Sequence, residues 1–137
     1  MKKNTLFFVL CLILLSSCVS PNYLVNKTIW VNISPAEKDG VKGNVITSLY
    51  FVSNNTVDIY SSVMVDTSIA VKPFKWAKGT YSVSCNSKKA NNLSIAAITL
   101  KKDTVKYNSI YQKDDTMILV SDSIANVFHK LHDVKLP

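Results

Sequence analysis

From Thr28 onward, apolar and polar residues alternate with a period of two, in short runs separated by clusters rich in Asn, Asp, Lys and Gly. That period places successive side chains on opposite faces of an extended chain, so one face can be buried while the other meets water. The pattern predicts strands over residues 28–33, 45–52, 57–65, 74–78, 80–85, 93–100, 104–112 and 116–121, with a last one over 124–131. A chain of 137 residues suits one domain of ordinary size. Eight or nine short strands with nearest-neighbour connections predict an all-β domain: an antiparallel up-and-down meander that closes as a small barrel or a sandwich.

Register and turns follow from the same alternation. A two-residue turn at Asn54-Asn55 would set Phe51 opposite Asp58 and waste an inward apolar position. A three-residue loop with one Asn in the left-handed region pairs Phe51 with Ile59 and sends Asp58 outward. Gln112 to Asp115 marks another turn, and Ser84 to Asn92 a longer polar loop. The last segment fits two geometries. Ile124, Val127, Phe128 and Leu131 have helical spacing behind a capping Ser121 or Asp122, whereas the run over 116–121 favours a further strand.

Ahead of the alternating region stands a segment of different character. Met1 to Thr5 is short and basic, and Leu6 to Leu15 is apolar. Ten residues of helix rise about 15 Å, half of a bilayer core, which describes an export signal rather than a span. Leu15-Ser16-Ser17-Cys18 resembles the lipobox of bacterial lipoproteins. The resemblance implies a signal peptide over residues 1–17, cleavage between Ser17 and Cys18, and lipid attachment at Cys18. There diacylglycerol alkylates the thiol, and an acyl chain such as palmitate can cap the freed amine. Two or three acyl chains anchor a protein firmly where one is marginal. Residues 18–26 then serve as a tether and residues 27–137 as the domain. No acidic run follows Cys18 and position 19 is Val, so the expected location is the cell envelope, on the periplasmic face of an outer membrane.

Charge narrows the partners. All 16 cations besides histidine are lysines, and the formal charge is +7. Loss of residues 1–17 leaves 14 lysines against nine acids, a charge of +5 with no run of five. Nucleic-acid binders cluster Lys and Arg and use Arg for bidentate readout, so no nucleic-acid partner is expected.

Leu24 to Trp30, Leu49 to Val57, Gly79 to Val83, and the closing segment from Met117 to Lys130 together resemble small Bacteroidetes-type lipoproteins with lipocalin-like domains. The resemblance implies an eight-stranded lipocalin-like barrel, in some members with an internal apolar cavity. It also implies that Trp30 packs across the barrel mouth, although Asn26 or Lys27 replaces the glycine common before it.

The chemistry-bearing residues are sparse. With three glycines and no nucleophile elbow, neither a phosphate cradle nor a catalytic turn is expected, and the chain is read as no enzyme, without cofactor. Cys85 alternates with Tyr81 and Val83 and is expected to be an inert buried thiol. His129 and His132, beside Asp133, diverge if 124–131 is a strand, so no metal site is expected. Asp114-Asp115 reads as a solvated turn. Asp103-Thr104-Val105, Asp115-Thr116-Met117 and Asp122-Ser123-Ile124 resemble the Bacteroidetes O-glycosylation triplet, which turn-to-strand junctions also generate.

Trp30, Phe74, Trp76 and Tyr81 are the candidate ligand or contact aromatics, with Phe74 and Trp76 on one strand face after Pro73. Two functions fit. One is a small apolar or amphipathic ligand held inside the barrel, which requires a hollow interior. The other is a protein-interaction or inhibitor module of the envelope, with a packed barrel and an exposed patch over residues 65–75.

Overall fold

The computed structural model describes residues 25–84 and 92–132; Ser17, Cys18, Cys85 and Asp133 lie outside the described residues. The described residues form eight strands: β1 (Ile29–Lys38), β2 (Val41–Phe51), β3 (Thr56–Val65), β4 (Ser68–Ser84), β5 (Asn92–Thr99), β6 (Thr104–Lys113), β7 (Thr116–Ser121) and β8 (Ile124–Leu131). Each pairs antiparallel with the next, and β8 returns to β1, closing an up-and-down barrel. The last segment is a strand, with Phe128 as its buried residue.

Four connections are two-residue turns that begin on aspartate: Asp39-Gly40, Asp66-Thr67, Asp114-Asp115 and Asp122-Ser123. All four aspartates have φ near +50°. Left-handed geometry matches the right-handed twist of the flanking strands, and Asp tolerates it because its carboxylate bonds locally. Gly40 follows at φ +78°, completing an Asp-Gly signal that extends β1 and β2 well beyond residues 33 and 45.

Two expectations are corrected. Residues 74–78 and 80–85 are not separate strands. Gly79 does not break the chain but lies within the 17-residue β4. A Cβ there would come within 2.1 Å of the Ala96 carbonyl oxygen and 2.5 Å of Ala97 Cα, so glycine lets β5 approach. The β2–β3 register also differs: Phe51 pairs with Val57, and Leu49 takes Ile59. The loop consists of Ser53, Asn54 and Asn55, with Val52 N–H bonded to the Thr56 carbonyl, and neither Asn has positive φ. The shift is two residues, so side-chain parity survives and Asp58 still points outward.

Inside, Trp30, Leu49, Phe51, Val57, Ile59, Leu93, Ile95, Met117, Leu119 and Phe128 are each under 2% exposed. Phe51 meets the Tyr81 ring edge-on at 4.8 Å between centroids. Burying each large side chain is worth about 1.5–3 kcal/mol, so this cluster dominates stability. Val25 caps one end, near the 53–55 loop, where Asn26 Nδ2 donates to Asn54 Oδ1 at 2.8 Å.

The two halves of the barrel differ in length. β1 pairs with β8 only at Ile29–Leu131, Trp30–Lys130 and Val31–His129, beyond which Asn32 Nδ2 donates to the Val127 carbonyl at 2.8 Å, and β4 pairs with β5 only from Ala77 onward. Beyond those points β1 to β4 continue as a four-stranded overhang at the end opposite Val25. Its two free edges hold Pro35 and Pro73, the prolines of the described residues. A proline supplies no N–H, so each blunts an edge that would otherwise template strand addition.

Candidate functional site

The inner face of the overhang continues the inward rows of the barrel. Val45 pairs with Val63, Ala36 with Gly43, and Val63 with Val71 across the four strands. Among the described residues, the open space in front of them is lined from β1, β2, β3 and the turn at Asp39, with no residue of β5 to β8. The result is a trough of about 540 Å³, lined by Ala36, Val41, Gly43, Val45, Val63 and Val65 among others. Lys38 stands at its lip, inward by the alternation of β1.

A second crevice, about 490 Å³, opens where β4 leaves β5. It is lined by Phe74, Trp76, Leu100 and Val105, with Asp103 and Lys101 at its rim. Leu100 folds over this gap, its N–H bonded to the Trp76 carbonyl at 3.0 Å. A bulge between Ile59 and Tyr60 shifts the β3–β4 register here, so Ile59 pairs with Ala77 and Tyr60 with Lys75, leaving Trp76 without a ladder partner. The four candidate aromatics therefore fall in two places. Trp30 and Tyr81 belong to the core, where the Trp30 Nε1–H donates to Thr28 Oγ1 at 2.9 Å and the Tyr81 hydroxyl donates to the Ser53 carbonyl. Phe74, 41% exposed, and the half-buried Trp76 line the crevice. Residues 65–75 are not a loop but the β3–β4 turn and the free edge of β4, with Ile69, Val71 and Phe74 exposed.

The polar groups do not gather in these spaces. Asp58 lies on the outer wall, buried beside Tyr50 on β2 and held by Lys75 Nζ at 2.9 Å from Oδ2. Its Oδ1 is buried without a hydrogen-bond partner. The hydrogen bond to Asp58 raises the Lys75 pKa above its ordinary 10.5, against desolvation. The ammonium also lies 5.9 Å from the Tyr60 ring centroid, and Tyr50 packs on Tyr60 at 4.7 Å. Burial raises the Tyr81 and Tyr107 hydroxyls above 10.0, with the Asp122 charge adding to the second.

His129 faces outward on β8, whereas His132 lies past its end, with Nε2 2.8 Å from Asp115 Oδ2. Both partners of that pair are more than half exposed. The sequence reading of Asp115 as merely solvated missed this contact. It joins residues 17 apart and becomes visible only once β7 and β8 are known to be neighbours. Of the three Asp-Ser/Thr-aliphatic triplets, Asp122-Ser123-Ile124 is exposed throughout on its turn, whereas Met117 of another is buried. Among the described residues, no three of His, Cys, Asp and Glu are grouped to hold a metal ion.

Comparison with protein-family models, curated proteins and solved structures finds no match.

Proposed function

We propose that this chain is a non-catalytic interaction module of the cell envelope, anchored through lipidated Cys18, that contacts a protein partner with the inner face of its overhang. One observation carries the reading. The closed section is filled by its own side chains, while the trough's aliphatic inner face is left open. A hollow interior is what a ligand held inside the barrel requires, and the filled core favours the interaction module instead. The blunted edges direct a partner to the face of the overhang rather than to its strands. The partner chemistry that fits is an aliphatic loop, with polar flanks that meet the mixed charges of Glu37, Lys38 and Asp39 at the lip. The closed eight-stranded meander is compatible with kinship to small lipoproteins of lipocalin-like fold, and the proposed location on the periplasmic face of an outer membrane rests on the sequence around Cys18 alone.

A second reading, a small amphipathic ligand in the trough itself, is favoured by its volume, which falls within the roughly 300–1,000 Å³ of ligand sites at barrel mouths. A photo-crosslinking residue at position 63 of the full chain, in its own host, tests both. A discrete protein adduct, absent when the residue replaces Ser82 and lost with Val45→Asp, supports the partner. No adduct, together with saturable binding of cis-parinaric acid that Val45→Asp abolishes, transfers the trough to the small ligand. No adduct together with no saturable binding overturns the trough as a site.

A further inference from the structure

The outside of the barrel has two unlike walls. On one, β3 to β6 turn outward Asp58, Tyr60, Lys75, Lys78, Ser94 and Lys106. On the other, a row of β-branched residues crosses four strands: Ile118 pairs with Val127, and Ile33 with Ile46. Val31 and Leu131 flank that row, Ile33 is 63% exposed, and Val127 and Leu131 exceed 40%. Between β1 and β8 these side chains border a groove of about 520 Å³, in which His129 is the sole ionisable group. In a chain with 25 charged residues, a groove lining without Lys, Asp or Glu is a local depletion of the kind that marks a contact surface, and the paired Glu37 and Lys42 bound it on the overhang side.

We infer that this wall rests on the bilayer that holds the chain's own lipid anchor, so that the barrel lies on its side against the membrane. The inference rests on the reading of Cys18 as the lipidated residue. The tether geometry argues for it. The chain becomes described at Val25, at the barrel end where β1 begins, so seven residues (18–24) separate the anchor from the fold. Fully extended they span up to about 25 Å. From the start of β1, Ile33 lies only about 13 Å down the wall. The tether therefore joins the fold at a barrel end that borders the apolar wall, and seven residues are long enough to let that wall reach the lipid. A second copy of the chain fits less well. A specific protein interface takes about 20–30 residues a side, far more than this row supplies. A tethered surface needs little intrinsic affinity, because the anchor holds it at high effective concentration.

The test uses the full chain, processed in a bacterial host and reconstituted into phosphatidylcholine–phosphatidylglycerol vesicles that carry a photoactivatable acyl chain. Mass spectrometry first determines whether Cys18 is acylated; an unmodified Cys18 removes the anchor reading by itself. Lipid adducts are then mapped by peptide. The expected result is labelling concentrated in residues 29–35 and 116–131 over residues 56–62 and 92–98, by about tenfold. Ile33→Asp with Val127→Asp, both at exposed positions, should erase that contrast while leaving acylation and the circular dichroism spectrum unchanged. Acylated protein labelled only in its tether, or equally on both walls, overturns the docking while leaving the anchor intact. So does a cross-linked dimer through residues 29–35 without lipid adducts, which assigns the wall to a second copy.

Discussion

The closed section and the overhang share strands β1 to β4, the same alternation and many of the same residue types, yet one is the stable core and the other an open face. In the closed section, Leu49, Phe51, Val57 and Ile59 belong to a single cluster with Leu93, Ile95, Met117, Leu119 and Phe128 from the other half. In the overhang, Val45, Val63, Val65 and Val71 continue the same rows with no opposing strand. A period of two reports which side a residue faces. Whether anything covers that side depends on the lengths of strands elsewhere in the chain.

That contrast can be broken by substitution. The largest separation is expected between Phe51→Ala, which should cost about 3–5 kcal/mol, and Val63→Ala, which should cost less than about 1 kcal/mol. Urea denaturation of both variants measures the difference, and equal losses would mean that the overhang is as well packed as the core. Gly79→Ala comes next, at about 2–3 kcal/mol from overpacking, because its Cβ meets β5 backbone rather than a movable side chain.

Tyr81→Phe should cost about 1 kcal/mol at neutral pH, for the lost hydrogen bond to Ser53, with ring packing on Phe51 retained. It should also change the alkaline limb. The pKa values of Tyr81, Tyr107 and Lys75 are raised in the folded state, so their contributions are complete below the ordinary values of 10.0 and 10.5. They are lost as pH rises through the folded values. Stability should therefore fall above about pH 10, and less steeply in Tyr81→Phe, as thermal melts across pH 8–11 would reveal. Smallest in stability is Pro73→Thr, within about 0.5 kcal/mol. Its effect should appear as faster aggregation by light scattering, since it restores an N–H to the free edge of β4.

The alternation suffices to predict the all-β class, the meander and the outward side of Asp58, because each depends on neighbours within a few residues. The run over 116–121 likewise points correctly to a strand after it, against the helical spacing of Ile124, Val127, Phe128 and Leu131. Gly79 resembles a strand break because its reason for being glycine lies on β5, 17 residues ahead at Ala96. The Asp39-Gly40 turn goes unread in the alternation, so the first two strands are predicted to end at residue 33 and to begin at residue 45. Its weight is clear only beside the other three Asp-led turns. The trough was not legible, since it exists through the shortness of β5 to β8 on the opposite side. For the same reason, the candidate aromatics divide between core and crevice in a way that no local spacing announces.

The short seam between β1 and β8 also sets an order of events in time. Every other ladder joins consecutive strands and can close as a local hairpin, four of them through two-residue turns. The seam brings Ile29 to Leu131 through three residue pairs, across nearly the whole domain. Loop closure disfavours such a contact until the intervening chain is already ordered. It should therefore form last in folding and open first in the native state, with the amides at Val31 and His129 exchanging their hydrogens through partial openings rather than global unfolding.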